Sequence, residues 1–332
     1  MVAVIGIGNV GATFIQGLDF YGGKNKVGLW HDRIAGLKPS NVKVVAAFDI
    51  DPTKVDGNLS QVVSKSTRKY HDMKDSKIVV RPGILVNGEG KKEGTISSSY
   101  DEFEKELKNS GAQVALNLIS SGMEKTSLEY AKGALAARMS FVNASPAKVA
   151  TRPALAKQFA ENKLMLIGDD LLSQFGGTAF HKGMVDFMVE RGVHISKSYQ
   201  LDVGGSAETR KTMDESVRML KRGMKTRSIG MEAPYKFESV AGTTEYTDFL
   251  GDSRNSYYWM SSNGFLGSNI VMDLTLRTND GANAGNVLLD VVRATAKKSS
   301  TASEVISAYG FKNPPKQFKI REAYSNFMKM FA

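Results

Sequence analysis

The chain has 332 residues, of which 42% are hydrophobic, and it carries a formal net charge of +10 at pH 7. This length suffices for one large domain or two ordinary ones with a substantial core. It contains no cysteine, which excludes disulfide bonds and thiolate chemistry and favours a cytoplasmic location. No run of about 18 apolar residues occurs, so we expect no membrane-spanning helix.

The positive charge is compatible with three classes of partner: a nucleic acid, a membrane surface or an anionic metabolite. No nucleic-acid-binding motif is present, and the basic residues are mostly scattered along the chain. We therefore expect a small anionic ligand held by a local basic cluster, and neither a nucleic acid nor a membrane as partner. The first motif begins at residue 2, and we therefore expect no signal peptide.

The first segment predicts a nucleotide-binding turn. Residues 2–5 are typical of a buried strand, Gly6-x-Gly8-x-x-Gly11 follows at once, and residues 12–18 are typical of a helix. In this context GxGxxG is the dinucleotide-binding fingerprint. Gly6 permits the tight turn, Gly8 lets the backbone approach a pyrophosphate, and Gly11 lets the helix pack closely on the strand. The N terminus of the helix adds free N–H groups and partial positive charge.

A polar, glycine-rich segment over residues 20–41 comes next, and we expect a loop that lies over the cofactor side. Residues 42–48 predict the second strand, and Asp49 and Asp51 follow. An acidic residue in this place accepts hydrogen bonds from ribose hydroxyls and would repel a 2′-phosphate, which favours NAD over NADP. Asp49 is the better placed of the two, and Asp51 before Pro52 also fits the start of a helix.

From here to residue 191, predicted strands alternate with predicted helices. The strands are at 77–86, 113–118, 141–144 and 164–167, and the helices at 101–109, 124–138, 153–162 and 175–191. This alternation is typical of a Rossmann-type, doubly wound parallel sheet, whose ligands bind at the C-terminal strand ends. The candidate ligand-binding residues at those ends are Ser120, Ser121, Ala144, Ser145, Asp169 and Asp170.

After Gly192 the pattern changes to strands near 197–203, 235–240, 256–261 and 269–276, with a basic helix over 208–224. This indicates an inserted α+β domain with mostly antiparallel strands. Helices predicted over 282–297 and 301–309 and a tail from 316 should return to the first domain. We therefore expect a Rossmann domain over 1–194, completed by 277–332, and an inserted catalytic or oligomerisation domain over 195–276.

Several stretches together resemble the inositol-1-phosphate synthase (myo-inositol-1-phosphate synthase) family. They are the fingerprint with Asn9 and residues 44–51, 141–146, 168–174, 199–205, 280–285 and 312–315. They span nearly the whole chain in the family's order, so the resemblance is more specific than any one motif.

The resemblance implies a redox-neutral isomerisation that feeds inositol and phospholipid biosynthesis. NAD oxidises C5 of glucose 6-phosphate, the enolate at C6 attacks C1, and reduction at C5 then gives inositol 1-phosphate. Such chemistry needs fixed positive charge at the enolate, a base for the carbon acid and cationic anchors for the phosphate. The resemblance also implies a homotetramer that assembles through the inserted sheet.

Lysines serve these needs in the family. Lys221 and Lys225 match a family pair whose spacing puts both ammonium groups on one side of a helix, where each lowers the pKa of the other. Lys312 matches a third lysine, and Asp280 an acidic position near the active site. On spacing alone, a solvated basic helix face is the favoured interpretation of the pair, and the resemblance reverses that preference.

The chain departs from the family pattern at three positions. Leu172 and Arg254 stand where the family commonly has lysine, and Glu208 stands where many members have aspartate. Arginine can stabilise an oxyanion but is a poor proton shuttle. These departures leave two alternatives: an NAD-dependent dehydrogenase or epimerase of another sugar phosphate, and a non-catalytic NAD-binding relative.

No metal site is predicted, because the histidines show no pair at ligand spacing. We assign Asp169 and Asp170 to the nicotinamide ribose; a divalent or monovalent cation held there with phosphate oxygens is the alternative that the family's metal-using branch implies. The residues expected at the cofactor are Gly6, Gly8, Asn9, Val10, Gly11, Asp49, Asp51, Ser120, Ser121, Ala144, Ser145, Asp169, Asp170, Ser173 and Glu208.

Overall fold

A parallel sheet of six strands organises the first part of the chain in the computed structural model, which describes residues 1–66, 69–86, 89–90 and 93–332. In chain order the strands are β1 (Val2–Ile5), β2 (Val44–Asp49), β3 (Val80–Pro82), β4 (Val114–Asn117), β5 (Ser140–Asn143) and β6 (Leu166–Gly168). They lie in the order β3-β2-β1-β4-β5-β6, with neighbouring strands parallel. This is the Rossmann order, so the predicted doubly wound sheet is confirmed.

Helices cover both faces of this sheet. They are α1 (Asn9–Phe20), α2 (Leu59–Ser66), α3 (Tyr100–Asn109), α4 (Glu124–Ala136) and α5 (Pro153–Glu161), whereas the next helix, α6 (Gly177–Glu190), packs on a second sheet. Successive side chains of a strand point to opposite faces. Accordingly, Val2 and Val4 of β1 belong to one buried core, and Ala3 and Ile5 to the other.

A second, mixed sheet follows. Its strands are β7 (His194–Gly204), β8 (Glu238–Tyr246), β9 (Ser253–Asn263) and β10 (Asn269–Asn279), in the order β10-β9-β7-β8. The strand β9 is antiparallel to both neighbours, whereas β7 and β8 are parallel. Met260 on the inner face of β9 packs with Val185 and Met188 of α6.

The predicted basic helix over 208–224 is wrong in its extent. The structure has two helices, α7 (Ala207–Lys211) and α8 (Glu215–Gly230). Ser206 caps α7, and the Asp214 carboxylate caps α8 by accepting hydrogen bonds from the backbone N–H groups of Ser216 and Val217. A strand predicted near 235–240 is also displaced, because β8 begins at Glu238 and continues to Tyr246.

Three helices, α9 (Asp280–Ala294), α10 (Ser300–Gly310) and α11 (Ile320–Phe331), return to the first sheet. The helix α9 packs on α1 so closely that a Cβ on Gly285 would lie 3.0 Å from the backbone nitrogen of Phe14. Among the described helices, none combines the length and apolar composition needed to cross a bilayer.

The segment over residues 20–41 does not lie over the cofactor side as expected. The buried guanidinium of Arg293 on α9 donates hydrogen bonds to the backbone oxygens of His31, Asp32 and Leu37. These bonds hold the segment against α9. All of residues 20–41 are described by the structure, and none of them lines the cleft at the C-terminal edge of the parallel sheet.

Candidate active site

A cleft of about 650 Å³ lies at the C-terminal edge of the parallel sheet, where α8 and β9 face it. Parallel sheets bind ligands at this edge, and the volume suits a small-molecule site. The predicted residues that line it are Gly8, Asn9, Val10, Asp51, Ser120, Ala144, Ser145, Asp170, Ser173, Glu208, Lys221, Lys225, Arg254, Asp280 and Lys312. Five further predicted site residues do not line the cleft; they are Gly6, Gly11, Asp49, Ser121 and Asp169.

The three fingerprint glycines have different surroundings. Gly6 has a φ of +92°, and a Cβ on Gly11 would lie 2.5 Å from the Gly6 carbonyl oxygen, so both positions need glycine for the turn and its packing. A Cβ on Gly8 would meet nothing within 4 Å. Gly8 is the N-cap of α1 and makes no side-chain cap, so it leaves backbone N–H groups at the start of the helix open to an anion. These features fit a pyrophosphate.

The two acidic residues at the end of β2 lie in different places, and the carboxylate expected at the ribose is not the one that reaches the cleft. The Asp49 carboxylate accepts hydrogen bonds from the backbone N–H groups of Ile7 (2.7 Å) and Ile50 (2.8 Å), and so holds the glycine turn. Asp51 lines the cleft instead. Burial opposes its ionisation, but the hydrogen bonds from Thr53 and the charge of Lys54 lower its pKa. Of the two carboxylates, only that of Asp51 lines the cleft.

Asp169 is a structural residue and does not reach the cleft. Its fully buried carboxylate accepts hydrogen bonds from the Asn143 amide and from the backbone N–H groups of residues 149–151. Burial raises the pKa of Asp169 to about 6, although these hydrogen bonds oppose the rise. This part of the prediction is corrected: Asp169 shapes the turn after β5.

Asp170 points the other way, into the cleft. Its Oδ1 pairs with the Lys312 ammonium at 2.7 Å. Its Oδ2 is buried and has no hydrogen-bond partner among the described residues. A buried acceptor without a donor is costly, so this oxygen fits a hydroxyl of a ligand.

The basic residues predicted to be catalytic converge on one end of the cleft. Lys221 and Lys225 come from α8, Arg254 from β9 and Lys312 from the segment after α10. Lys221 pairs with Glu208 at 2.7 Å, and Arg254 forms an ion pair with Asp280 at the same distance. The solvated-face alternative for the lysine pair is excluded, because both lysines are buried.

Lys225 has an unusual environment. Burial lowers the pKa of its ammonium, Arg254 and Lys312 lower it further, and the Asp202 carboxylate opposes them. The neighbour expected to lower it was Lys221, so the cause differs from the prediction.

Asp202 is the main residue that the sequence did not reveal. It is fully buried on β7, 2.7 Å from the Lys225 ammonium. Its sequence signals are its place in the stretch 199–205, which carries part of the resemblance, and a polar residue at an inward position of an alternating strand. Asp252, which accepts a hydrogen bond from the Asn9 amide and lines the cleft, was likewise not singled out.

At the position of a family lysine, Leu172 is buried in the cleft wall and brings no charge. Ser121 lies behind the wall, where its hydroxyl and backbone N–H donate to Glu208. Among the described residues, no group of three or more His, Cys, Asp or Glu side chains could hold a metal ion.

Two comparisons of the sequence with known proteins point to the same family. The sequence model of the family described as myo-inositol-1-phosphate synthase matches residues 176–281. The inositol-3-phosphate synthase of Mycobacterium tuberculosis is 30% identical to this chain in an alignment 334 residues long, gaps included, which covers 95% of this chain and 91% of that protein.

Two crystal structures share the fold. A myo-inositol-1-phosphate synthase-related protein from Thermotoga maritima has a TM-score of 0.81 at 20% identity, covering 99% of this chain and 97% of the other. An inositol-3-phosphate synthase from Caenorhabditis elegans has a TM-score of 0.77 at 14% identity, covering 99% and 84%.

Proposed function

This chain belongs to the myo-inositol-1-phosphate synthase family, and on that basis we propose that it converts glucose 6-phosphate to an inositol monophosphate with a recycled NAD. One observation carries the proposal: four basic side chains from three separate elements meet in the cleft that also contains the glycine turn. A nucleotide site and an anion site are thereby joined in one cavity.

The cofactor end of the cleft is formed by the chain's own turn and strand ends. Gly8 and the N terminus of α1 bind the pyrophosphate, Asp51 accepts the ribose hydroxyls, and Asp170 Oδ2 accepts a further hydroxyl. NAD supplies a hydride acceptor that becomes a hydride donor, so the reaction has no net oxidation. A divalent or monovalent cation held beside Asp170 with phosphate oxygens is the alternative, and loss of turnover on adding a chelator would indicate it.

At the other end, Lys221, Lys225 and Lys312 anchor the phosphate and stabilise the negative charge of the enolate. Arg254 adds positive charge but does not exchange protons at neutral pH. The lowered pKa of Lys225 makes its ammonium a better proton donor, and its amine easier to form, than an exposed lysine. We therefore assign the proton transfer at carbon to Lys225.

The test is an incubation of the protein with glucose 6-phosphate and a trace of NAD⁺. Phosphorus NMR follows the phosphate esters, and absorbance follows NADH. An inositol monophosphate in excess over NAD⁺, without accumulated NADH, supports the proposal.

One observation favours a second candidate: Leu172 leaves the cleft one cation short of the family pattern. An NAD-dependent dehydrogenase or epimerase of another sugar phosphate would give stoichiometric NADH or an epimer. Tight NAD binding with neither product would indicate a non-catalytic relative.

A further inference from the structure

The inner face of β7 carries a row of buried polar residues where a hydrophobic core is expected. Ser198, Gln200 and Asp202 alternate on that face and are at most 4% exposed. They lie opposite Met260, Tyr258 and Ser256 of β9. A buried polar row lowers stability unless every group finds a partner.

The row is a chain of hydrogen bonds directed at one carboxylate. The Gln200 amide donates to Asp202 Oδ1 at 2.8 Å, so its oxygen is left to accept from His181 Nδ1 at 3.3 Å. His181 Nε2 then accepts from the Ser198 hydroxyl at 2.6 Å. The Ser256 hydroxyl adds a bond to Asp202 Oδ1 at 2.7 Å. Each donor in the row favours a negative charge on Asp202.

That carboxylate faces two cations of the cleft. Asp202 Oδ2 lies 2.7 Å from the Lys225 ammonium and 3.8 Å from Arg254 Nη1. Arg254 continues to Asp280. Lys225, Asp202, Arg254 and Asp280 thus form an alternating series of charges along one wall. We propose that Asp202 is a positioning residue: its buried carboxylate holds the Lys225 ammonium and the Arg254 guanidinium at the wall of the cleft, where both meet the negative charge of the substrate.

The charges around Lys225 show what Asp202 contributes. Arg254 from β9 and Lys312 from the segment after α10 repel its ammonium, and Lys221 on α8 is itself paired with Glu208. Asp202 is the carboxylate in contact with Lys225. Without it, a buried cation would face two others, and Lys225 would give up its proton at lower pH. The inference rests on the proposed function only for the identity of the substrate.

The experiment compares Asp202→Asn with wild type by the rate at which cyanate carbamylates Lys225, read by peptide mass spectrometry from pH 6 to 10. Cyanate reacts with the neutral amine, so the pH profile reports the protonation of this lysine and does not need turnover. We expect Lys225 of Asp202→Asn to react about tenfold faster at neutral pH, the change that one pKa unit produces.

Two controls isolate the charge. Ser256→Ala removes a neutral hydrogen bond from the same carboxylate and should leave the Lys225 profile nearly unchanged. Lys221, read in the same digests, is paired with Glu208 and should react equally in all variants. An unchanged Lys225 profile in Asp202→Asn would overturn the proposal, whatever the protein is found to catalyse.

A fold failure of Asp202→Asn is also informative. The double variant Asp202→Asn with Lys225→Met removes both charges, so it should recover the thermal stability that the single variant loses. If the double variant fails to fold as well, the requirement for Asp202 is one of packing, and the proposal is wrong.

Discussion

Each of the three lysines predicted to be catalytic has a carboxylate partner. The pairs, with N–O distances of 2.7 Å, are Lys221–Glu208, Lys225–Asp202 and Lys312–Asp170. Each carboxylate keeps its ammonium oriented before a ligand arrives. Preorganised charge of this kind stabilises a transition state without reorganisation at the moment of reaction.

Lys225→Met should abolish most turnover and leave NAD affinity unchanged, because the cofactor's phosphates are expected at the start of α1. Removing one such charge lowers kcat by about 10²–10³-fold. Arg222→Met, an exposed change on the same helix, is the control. The measurement is kcat together with an NAD titration. Wild-type turnover in Lys225→Met would show that Lys225 does not carry the proton transfer assigned to it.

Asp51→Ala should weaken NAD binding about tenfold, as expected when a hydrogen-bonded charged group is lost. Asp49→Asn should affect stability more than binding, because the Asp49 carboxylate holds the glycine turn and does not itself touch the ligand. It should lower thermal stability more than Asp51→Ala does. Calorimetric titration and thermal unfolding measure both effects, and equal NAD affinity in Asp51→Ala and wild type would return the ribose contact to Asp49.

At the scale of elements, structure that depends on one continuous stretch of sequence is predictable, whereas contacts between distant stretches are not. β1, the glycine turn and α1 follow one another in the chain, so their pattern was visible in the sequence. The division between α7 and α8 was missed because both helices are basic and only the Asp214 cap separates them. The role of Asp202 depends on α8 and β9 meeting β7, which no local pattern contains.

The contact between α6 and β7 predicts a pH dependence. Burial lowers the pKa of His181 on α6 to about 4, below its ordinary value near 6.5. Between about pH 6.5 and 4, His181 is protonated in the unfolded chain but neutral in the folded one. The free energy of unfolding therefore falls as the pH falls through this range. The total loss of stability is roughly 3–3.5 kcal/mol.

His181→Asn should flatten this part of the stability profile, whereas His194→Asn, at an exposed histidine of β7, should not. Urea unfolding at a series of pH values measures the slope. Parallel profiles for wild type and His181→Asn would contradict the assignment.

At the scale of the molecule, the outer face of the second sheet lacks a cover within the described chain. Tyr199 and Trp259 stack there at 5.4 Å, and Leu201 and Val271 are 38% and 48% exposed. We propose that residues 195–276 act as an inserted unit through which copies of the chain form a tetramer. The family resemblance indicated this assembly, and the exposed apolar face supports it.

Trp259→Glu should convert the assembly to smaller species, because a charge on this face would be buried without a partner. Val27→Glu, at an apolar residue that is 85% exposed elsewhere, is the control. Light scattering with size-exclusion chromatography measures the mass. A monomeric wild type, or an unchanged mass for Trp259→Glu, would count against the proposal.

The packing of α9 on α1 also bears on how the chain is made. The first βα unit has its apolar helix face covered by residues 280–294, near the other end of the chain. A nascent chain leaving the ribosome must hold that face uncovered until most of its length has emerged. The glycine turn is thus translated long before the residues that cover its supporting helix.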